Sequence, residues 1–441
     1  MENFKRYTTH QLSERLRESA RKIIVIAGPR QVGKTTAVSQ TLRDRPADSY
    51  HFLAVDAPES DAVMPTDFSI EAASTRSMDK QRLRDTTWLI ENWQAARKAA
   101  QAWHLAPATN TSQATEQRPL FVLVFDEIQL IANWSSAVKG LWDQDRAQDF
   151  PMHVVVLGSA PLLMQNGLSE SLMGRFELLR MTHWSYTEMR DCFGFSLDQY
   201  VYFGGYPGPA IWVPQGNEDR WRDEVIHSLI EPNLVKDILA LARIEKPAVL
   251  RQLFQLSCSY SGQIVALTKL LTQLNDAGNT TTLTHYLQLL GAAGLLSGLE
   301  KYAAQAIRQR AAPPKLNVLN TAFMSVYSGR TFAQARADHA FWGHLVESSI
   351  GAHLINSASG SLQIAYWRES PHEVDFVVYQ GDQVAALEVK SATHDLSAKK
   401  GLRAFAEKHP QLKVRTEVLG GDDFALAEAL SLPANHWLPE L

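Results

Sequence analysis

The chain has only two cysteines in 441 residues, Cys192 and Cys258, far apart and in no metal-ligand spacing. That excludes a disulfide framework, suits a reducing cytoplasm, and leaves packing as their expected role. No apolar run approaches the length that spans a bilayer, so no membrane association is expected. The opening residues Met1-Glu2-Asn3-Phe4-Lys5-Arg6 lack the apolar core of a secretory signal. Net charge is only −4, so nothing draws the whole chain to nucleic acid, and any such contact must come from a local patch. There is no internal repeat. Hydrophobic content of 45% and charged content of 20% describe a folded chain rather than a disordered one. The length suffices for roughly two to four domains with cores of their own.

What is present is sharply informative. Gly28-Pro29-Arg30-Gln31-Val32-Gly33-Lys34-Thr35 matches G-x-x-x-x-G-K-S/T, the loop that wraps nucleotide phosphates. The apolar run Ile23–Ala27 leads in as a buried parallel strand, and a helical stretch from Thr36 leads out. The glycines are expected to let the backbone approach the phosphates, with loop and helix N–H groups facing the negative charge. Residues 28–36 thus form the expected ATP site. Lys34 is expected to reach the β- and γ-phosphates, and Thr35 to coordinate Mg²⁺.

Phe121-Val122-Leu123-Val124-Phe125-Asp126-Glu127 reads as a Walker B strand, an apolar run that ends in adjacent carboxylates. Asp126 is expected in the Mg²⁺ shell. Glu127 is expected to orient or deprotonate the attacking water. A third strand, His153–Leu157, leads to Gly158-Ser159, which places Ser159 either as a γ-phosphate sensor or as part of a plain turn. Arg175 follows. It is either a stabiliser of phosphoryl charge, in its own subunit or a neighbour's, or an ordinary surface arginine. Between the Walker motifs, residues 86–105 read as a helix anchored by Trp88, Trp93 and Trp103, and residues 106–119 as a small-polar loop.

The string Ile26–Thr36 resembles the opening of a bacterial and archaeal group of AAA+-like ATPases, as do Asp126-Glu127-Ile128-Gln129, Gly158-Ser159, Gly174-Arg175 and Gly204-Gly205-Tyr206-Pro207. The resemblance implies an ATPase followed by a C-terminal domain of unknown function with a restriction-endonuclease-like core. The chain departs from the group at His183-Trp184-Ser185-Tyr186, where a proline usually precedes the Ser-aromatic pair.

The middle of the chain is helical. Residues 198–243 carry core candidates Trp212, Trp221, Leu229 and Leu234, and Phe203–Pro207 marks a tight turn. Helices are expected over 248–260, 264–276 and 281–293, then a strand over 295–299, the outline of a winged helix-turn-helix. Its third helix has no lysine or arginine from Thr280 to Leu299. Phosphate contacts dominate DNA affinity, so this is a poor solo reader. The basic residues Lys301, Arg308, Arg310 and Lys315 fall where a wing is expected. DNA contact through that wing and a protein-interaction or packing role both remain open.

Near the end, strands are expected over 362–368, 373–378 and 384–390, the last closing with Glu388-Val389-Lys390. Glu388 and Lys390 project from one face of a strand. Asp375 lies on the preceding hairpin partner, and Glu347 on a helix over 341–354. With a further helix over 398–409, this arrangement resembles the PD-(D/E)XK nuclease core. The resemblance implies Mg²⁺ or Mn²⁺ held by Asp375 and Glu388, with Glu347 outside them, and Lys390 orienting water. A nuclease fold retained as scaffold, with Glu388 and Lys390 simply paired, is the competing reading.

The expected fold is α/β in four parts: a P-loop AAA+-like domain over 1–195, a helical subdomain over 196–243, a winged-helix-like domain over 244–315 and a PD-(D/E)XK nuclease-like domain over 316–441. Three functions fit. One is an ATP-dependent DNA-processing enzyme. Another is a nucleotide-driven switch or assembly protein with a silent C-terminal domain. The third is a protein remodeller with an unidentified protein partner. A homo-oligomeric ring follows if Arg175 serves a neighbour's site.

Overall fold

A computed structural model describes residues 4–57, 84–106, 118–158, 171–238, 244, 246–275, 278–303, 312–391, 398–421 and 423–440. Its contacts fall into two compact units, Met1–Met181 and Thr182–Leu441.

The first unit is built on five strands: β1 (Ile23–Ala27), β2 (Tyr50–Ala54), β3 (Phe121–Asp126), β4 (Met152–Gly158) and β5 (Phe176–Arg180). They lie in the order β2-β3-β4-β1-β5, and every pairing is parallel. Every residue of β3 and β4 is buried, and apart from Asp126 and His153 both are apolar runs. Helices Thr86–Leu105 and Trp134–Ala147 cover one face through Leu89, Trp93, Val138 and Trp142. Helices Tyr7–Arg15 and Lys34–Arg43 cover the other through Leu12, Ala37, Val38 and Leu42. The Trp93 ring stacks on Phe125, and its indole N–H donates to Asp145 at 2.8 Å. Register places the site: Ala27 aligns with Gly158 and Phe125 with Val156, so β1, β3 and β4 end at one edge of the sheet.

The second unit opens with helices Tyr186–Phe193 and Leu197–Phe203. Ser185 accepts from the Glu188 N–H while its own N–H donates to the Glu188 carboxylate. This capping box holds the helix start. The Phe203–Pro207 turn is dictated by close approach. A Cβ on Gly204 would lie 1.9 Å from Asn320 Oδ1, and one on Gly205 would lie 2.0 Å from the Trp184 carbonyl oxygen.

Helices Pro247–Ser259, Leu267–Gln273 and Thr280–Ala292 precede an antiparallel ribbon of β6 (Leu296–Leu299) and β7 (Lys315–Val318). The middle helix starts later than the expected residue 264. Ile264 is extended and bridges to Lys315, and the Val265 N–H donates to the Pro314 carbonyl. Asp276 and Ala277, at the expected break, lie outside the described residues.

The chain then runs through helix His339–Ser357, β8 (Gln363–Glu369), β9 (His372–Gln380), β10 (Gln383–Val389), helix Ala398–Lys408 and β11 (Lys413–Leu419). The sheet order is β11-β10-β9-β8, with β10 and β11 parallel and the other pairs antiparallel. Trp367, Val377, Ala386 and Phe405 form part of its core. β7 is wedged against helix His339–Ser357: Asn317 Nδ2 donates to the Ser348 carbonyl, and a Cβ on Gly351 would fall 2.2 Å from Asn317 Oδ1. Residues Thr182–Leu441 cluster as one compact unit. Among the described residues, no helix is long and apolar enough to cross a membrane.

Candidate functional site

The P-loop leaves β1 and enters helix Lys34–Arg43. Gln31 (φ 57°) and Gly33 (φ 95°) both adopt left-handed backbone, the curled geometry that forms anion-binding nests. Gly33 is glycine because of that φ. Gly28 has a different reason: a Cβ there would lie 1.9 Å from the Met181 carbonyl oxygen, so the neighbouring chain demands the glycine before any phosphate does. Pro29 and Val32 are buried, Arg30 is half-buried, and Thr36 is exposed in the first helical turn. The Lys34 side chain is buried, and its ammonium donates to the carbonyls of Gly28 (3.0 Å) and Pro29 (2.7 Å).

β3 delivers Asp126 to the same edge. The Thr35 hydroxyl donates to Asp126 Oδ2 at 2.7 Å, and the Glu127 N–H donates to Asp126 Oδ1 at 3.0 Å. Burial pushes the Asp126 carboxyl up to about 6, against the opposing bond from Thr35. A buried carboxylate short of compensating charge beside a hydroxyl is a hard-oxygen donor set, and it fits Mg²⁺. Glu127 sits at φ 53°, turned out of the strand, and its carboxylate accepts from the Gln129 side-chain amide. The described residues therefore bring Lys34, Thr35, Asp126 and Glu127 to one edge of the sheet.

Two other expected residues do not join them. Ser159 lies outside the described residues, one position beyond Gly158. Arg175 lies at the opposite edge: its carbonyl accepts from the Ile23 N–H at the start of β1, while the P-loop follows the end of that strand. Five residues of strand span about 15 Å, beyond a guanidinium's reach. The expectation that Arg175 stabilises charge in its own subunit's site is thereby corrected. Its guanidinium instead grips Asp143 with two bonds, 2.7 and 3.0 Å.

One contributor escaped the sequence reading. The buried Arg6 guanidinium donates to the Val32 carbonyl at 2.9 Å and fastens the loop to the segment ahead of helix Tyr7–Arg15. A lone arginine among exposed cations carries no local signal of this.

The C-terminal cluster is assembled around a lysine. Lys315 is fully buried on β7, so of the two roles open to the wing cations it takes the packing one. Its ammonium lies 2.5 Å from Glu347 Oε1 and 3.2 Å from Asp375 Oδ1, and donates to the Asp375 main-chain carbonyl at 3.1 Å. Burial alone would lower its pKa, but the carboxylates of Asp375 and Glu347 outweigh that and hold it above the ordinary lysine value. Asp375 Oδ2 accepts from the Val389 N–H at 2.9 Å. Lys390 donates to Glu388 at 3.0 Å, so the E-x-K pair forms an ion pair. Burial, then repulsion from Asp375, pushes both Glu347 and Glu388 upward.

Glu347, Asp375 and Glu388 do not fit a metal as they stand. Ammonium groups already engage them, and among the described residues no group of three or more His, Cys, Asp or Glu side chains has metal-holding geometry. Of the remaining wing cations, Lys301 bridges to Tyr366 on β8, and Arg308 and Arg310 lie outside the described residues.

Residues 20–190 match the model of an AAA domain. The N-terminal part of the chain is thus similar to AAA domains and carries a P-loop NTPase-like parallel sheet. Residues 194–333 and 342–434 match models of two domains of unknown function, DUF8612 and DUF4143. Solved structures similar to the chain include a Walker-type ATPase of Pyrococcus abyssi, at 14% identity over 73% of this chain and 94% of that one, with a TM-score of 0.45. They also include the Aeropyrum pernix ORC2 protein in ADPNP and ADP complexes, at 14% identity over 76% and 97%, with a TM-score of 0.39. AMPPCP-bound DnaA from Aquifex aeolicus matches at 13% identity over 66% and 90%, with a TM-score of 0.30. No curated protein matches.

Proposed function

We infer that this chain hydrolyses ATP at the P-loop and uses the nucleotide state as a switch acting on residues 182–441. The observation that carries the reading is the contact of Thr35 with a buried Asp126 beside Glu127. Backbone amides of residues 30–35 cradle the phosphates, and Lys34 leaves the carbonyls of Gly28 and Pro29 to meet the β- and γ-phosphates. Thr35 and Asp126 would hold Mg²⁺, which when bound would supply charge neutralisation at the phosphate oxygens. Glu127, steadied by Gln129, accepts the proton of the attacking water at its carboxylate. Arg175 remains available only to a neighbouring copy's site, and Ser159 is a candidate sensor of the γ-phosphate.

The test compares Glu127→Gln loaded with ATP against wild type loaded with ADP, by amide hydrogen exchange across residues 182–441. Differential protection there supports a switch. Identical protection in both states, with ATP turnover intact in wild type, removes the switch and leaves an ATPase of other use.

A second reading is ATP-gated cleavage of DNA by the C-terminal domain. It is favoured by the helix-β8-β9-β10-helix-β11 order, which is similar to the PD-(D/E)XK core, and by Asp375, Glu388 and Lys390 falling in motif order. The metal-dependent form of that chemistry meets the obstacle of Lys315.

A further inference from the structure

We propose that the Lys315 ammonium takes the place of a divalent metal in the acidic pocket of the C-terminal domain, so that the pocket is a permanent internal ion lock. This is independent of the ATPase reading, which concerns a different site.

The geometry is that of an ammonium enclosed by oxygens. An ammonium has three N–H donors. Lys315 donates to Asp375 Oδ1 at 3.2 Å and to the Asp375 carbonyl at 3.1 Å, and Glu347 Oε1 lies 2.5 Å away as an ion-pair partner. The ring of Phe376 lies 4.7 Å from the same nitrogen and adds a cation–π contact. The second Asp375 oxygen is committed to the Val389 N–H, and Glu388 to Lys390. Around the oxygens on which a two-metal or one-metal cleavage site would depend, the positive charge is thus already covalently attached to the chain.

The electrostatics point the same way: burial and repulsion from Asp375 push Glu347 and Glu388 toward their neutral forms, which leaves less negative charge for a dication. A dication would have to enter beside an ammonium that cannot leave. Lys315 has 0% exposure, and its strand is paired along its length with β6. Burying a second cation against the first costs far more than a carboxylate contact returns.

The lock also has a structural consequence. Lys315 belongs to the β6–β7 ribbon, Glu347 to helix His339–Ser357 and Asp375 to β9. One ammonium therefore ties the helical middle segment, the long helix and the C-terminal sheet together. The domain keeps the outline of a hydrolytic core but uses its acidic residues for cohesion.

The experiment measures Mn²⁺ binding to the nucleotide-free full-length chain by electron paramagnetic resonance, for wild type, Asp375→Asn, Lys315→Met and the Lys315→Met/Asp375→Asn double variant. The proposal expects wild type and Asp375→Asn to bind Mn²⁺ identically, and Lys315→Met to gain one site that the double variant loses. An Asp375-dependent Mn²⁺ site in wild type overturns it. So does a folded Lys315→Met chain, checked by circular dichroism, that gains no site. Should Lys315→Met fail to fold, nicking of supercoiled DNA in Mn²⁺ decides: none is expected from wild type, and Asp375-dependent nicking contradicts the proposal.

Discussion

The Thr35 hydroxyl donates to Asp126 Oδ2 at 2.7 Å, joining the first turn of the P-loop helix to the end of a strand that is not its neighbour in the sheet. β4 lies between β1 and β3, so this contact spans the edge where three strands end. It makes the nucleotide site a product of sheet order as well as of motif. Thr35 and Asp126 are 91 residues apart in sequence, and the parallel register brings them together.

Arg6 is the first test of how the loop is held. Arg6→Ala removes a buried charge-assisted bond to the Val32 carbonyl, worth about 1.5–3 kcal/mol. ATP affinity is expected to fall by roughly tenfold or more, with KM rising while kcat changes less. Arg6→Lys restores part of the loss. Equal KM values in wild type and Arg6→Ala would show that the loop is shaped without this contact.

Gly28 is expected to tolerate no side chain, for a reason unrelated to phosphate. In Gly28→Ala the new methyl group would overlap the Met181 carbonyl oxygen at 1.9 Å. Overpacking of this kind costs about 1–3 kcal/mol or more. Thermal unfolding without nucleotide reads it directly: a lowered melting temperature is expected, and an unchanged one would return the role of Gly28 to phosphate contact alone.

His153 sets an acid limit on the first unit. It lies on β4 opposite Val122, and burial, helped by the charge of Arg45, pulls its pKa down from 6.5 to about 4. The unfolded chain binds this proton more readily than the folded one. The corresponding stability is therefore complete above about pH 6.5 and is lost as pH falls through about 4. The full swing is about 3 kcal/mol. Denaturant melts of full-length protein between pH 7 and pH 4 should show a steeper loss for wild type than for His153→Gln. Parallel pH profiles would place the acid sensitivity elsewhere.

Arg175 sits too far from its own P-loop to act there. Arg175→Ala is therefore expected to leave ATP turnover per site unchanged in dilute protein made of single copies. A loss confined to concentrations at which copies associate assigns it to a neighbour's site. A loss in single copies contradicts the placement at the far edge of the sheet.

Much of this was legible from sequence because it is local. The P-loop spacing, the doubly buried runs of β3 and β4, and helix Thr86–Leu105 with its tryptophan anchor at position 93 depend on neighbours within a few turns or strands. The strands and flanking helices of the C-terminal domain were legible for the same reason. Lys315 was not. A lysine between prolines and a short apolar segment reads as an exposed wing cation, whereas its partners Glu347 and Asp375 lie 32 and 60 residues further on. Gly28 read as a phosphate-loop glycine, but its contact with Met181, which arrives from the far end of the unit, carries no local signal. Charge placed by long-range packing has no period to betray it.

The measurement that tests the account most directly is phosphate release from ATP in Mg²⁺ by the full-length chain, beside ATP binding, for wild type, Lys34→Ala and Glu127→Gln. The account predicts turnover in wild type, loss of both binding and turnover in Lys34→Ala, and retained binding in Glu127→Gln with turnover reduced about 10²–10⁴-fold. Wild-type turnover no faster than that of Glu127→Gln would contradict hydrolysis at this site.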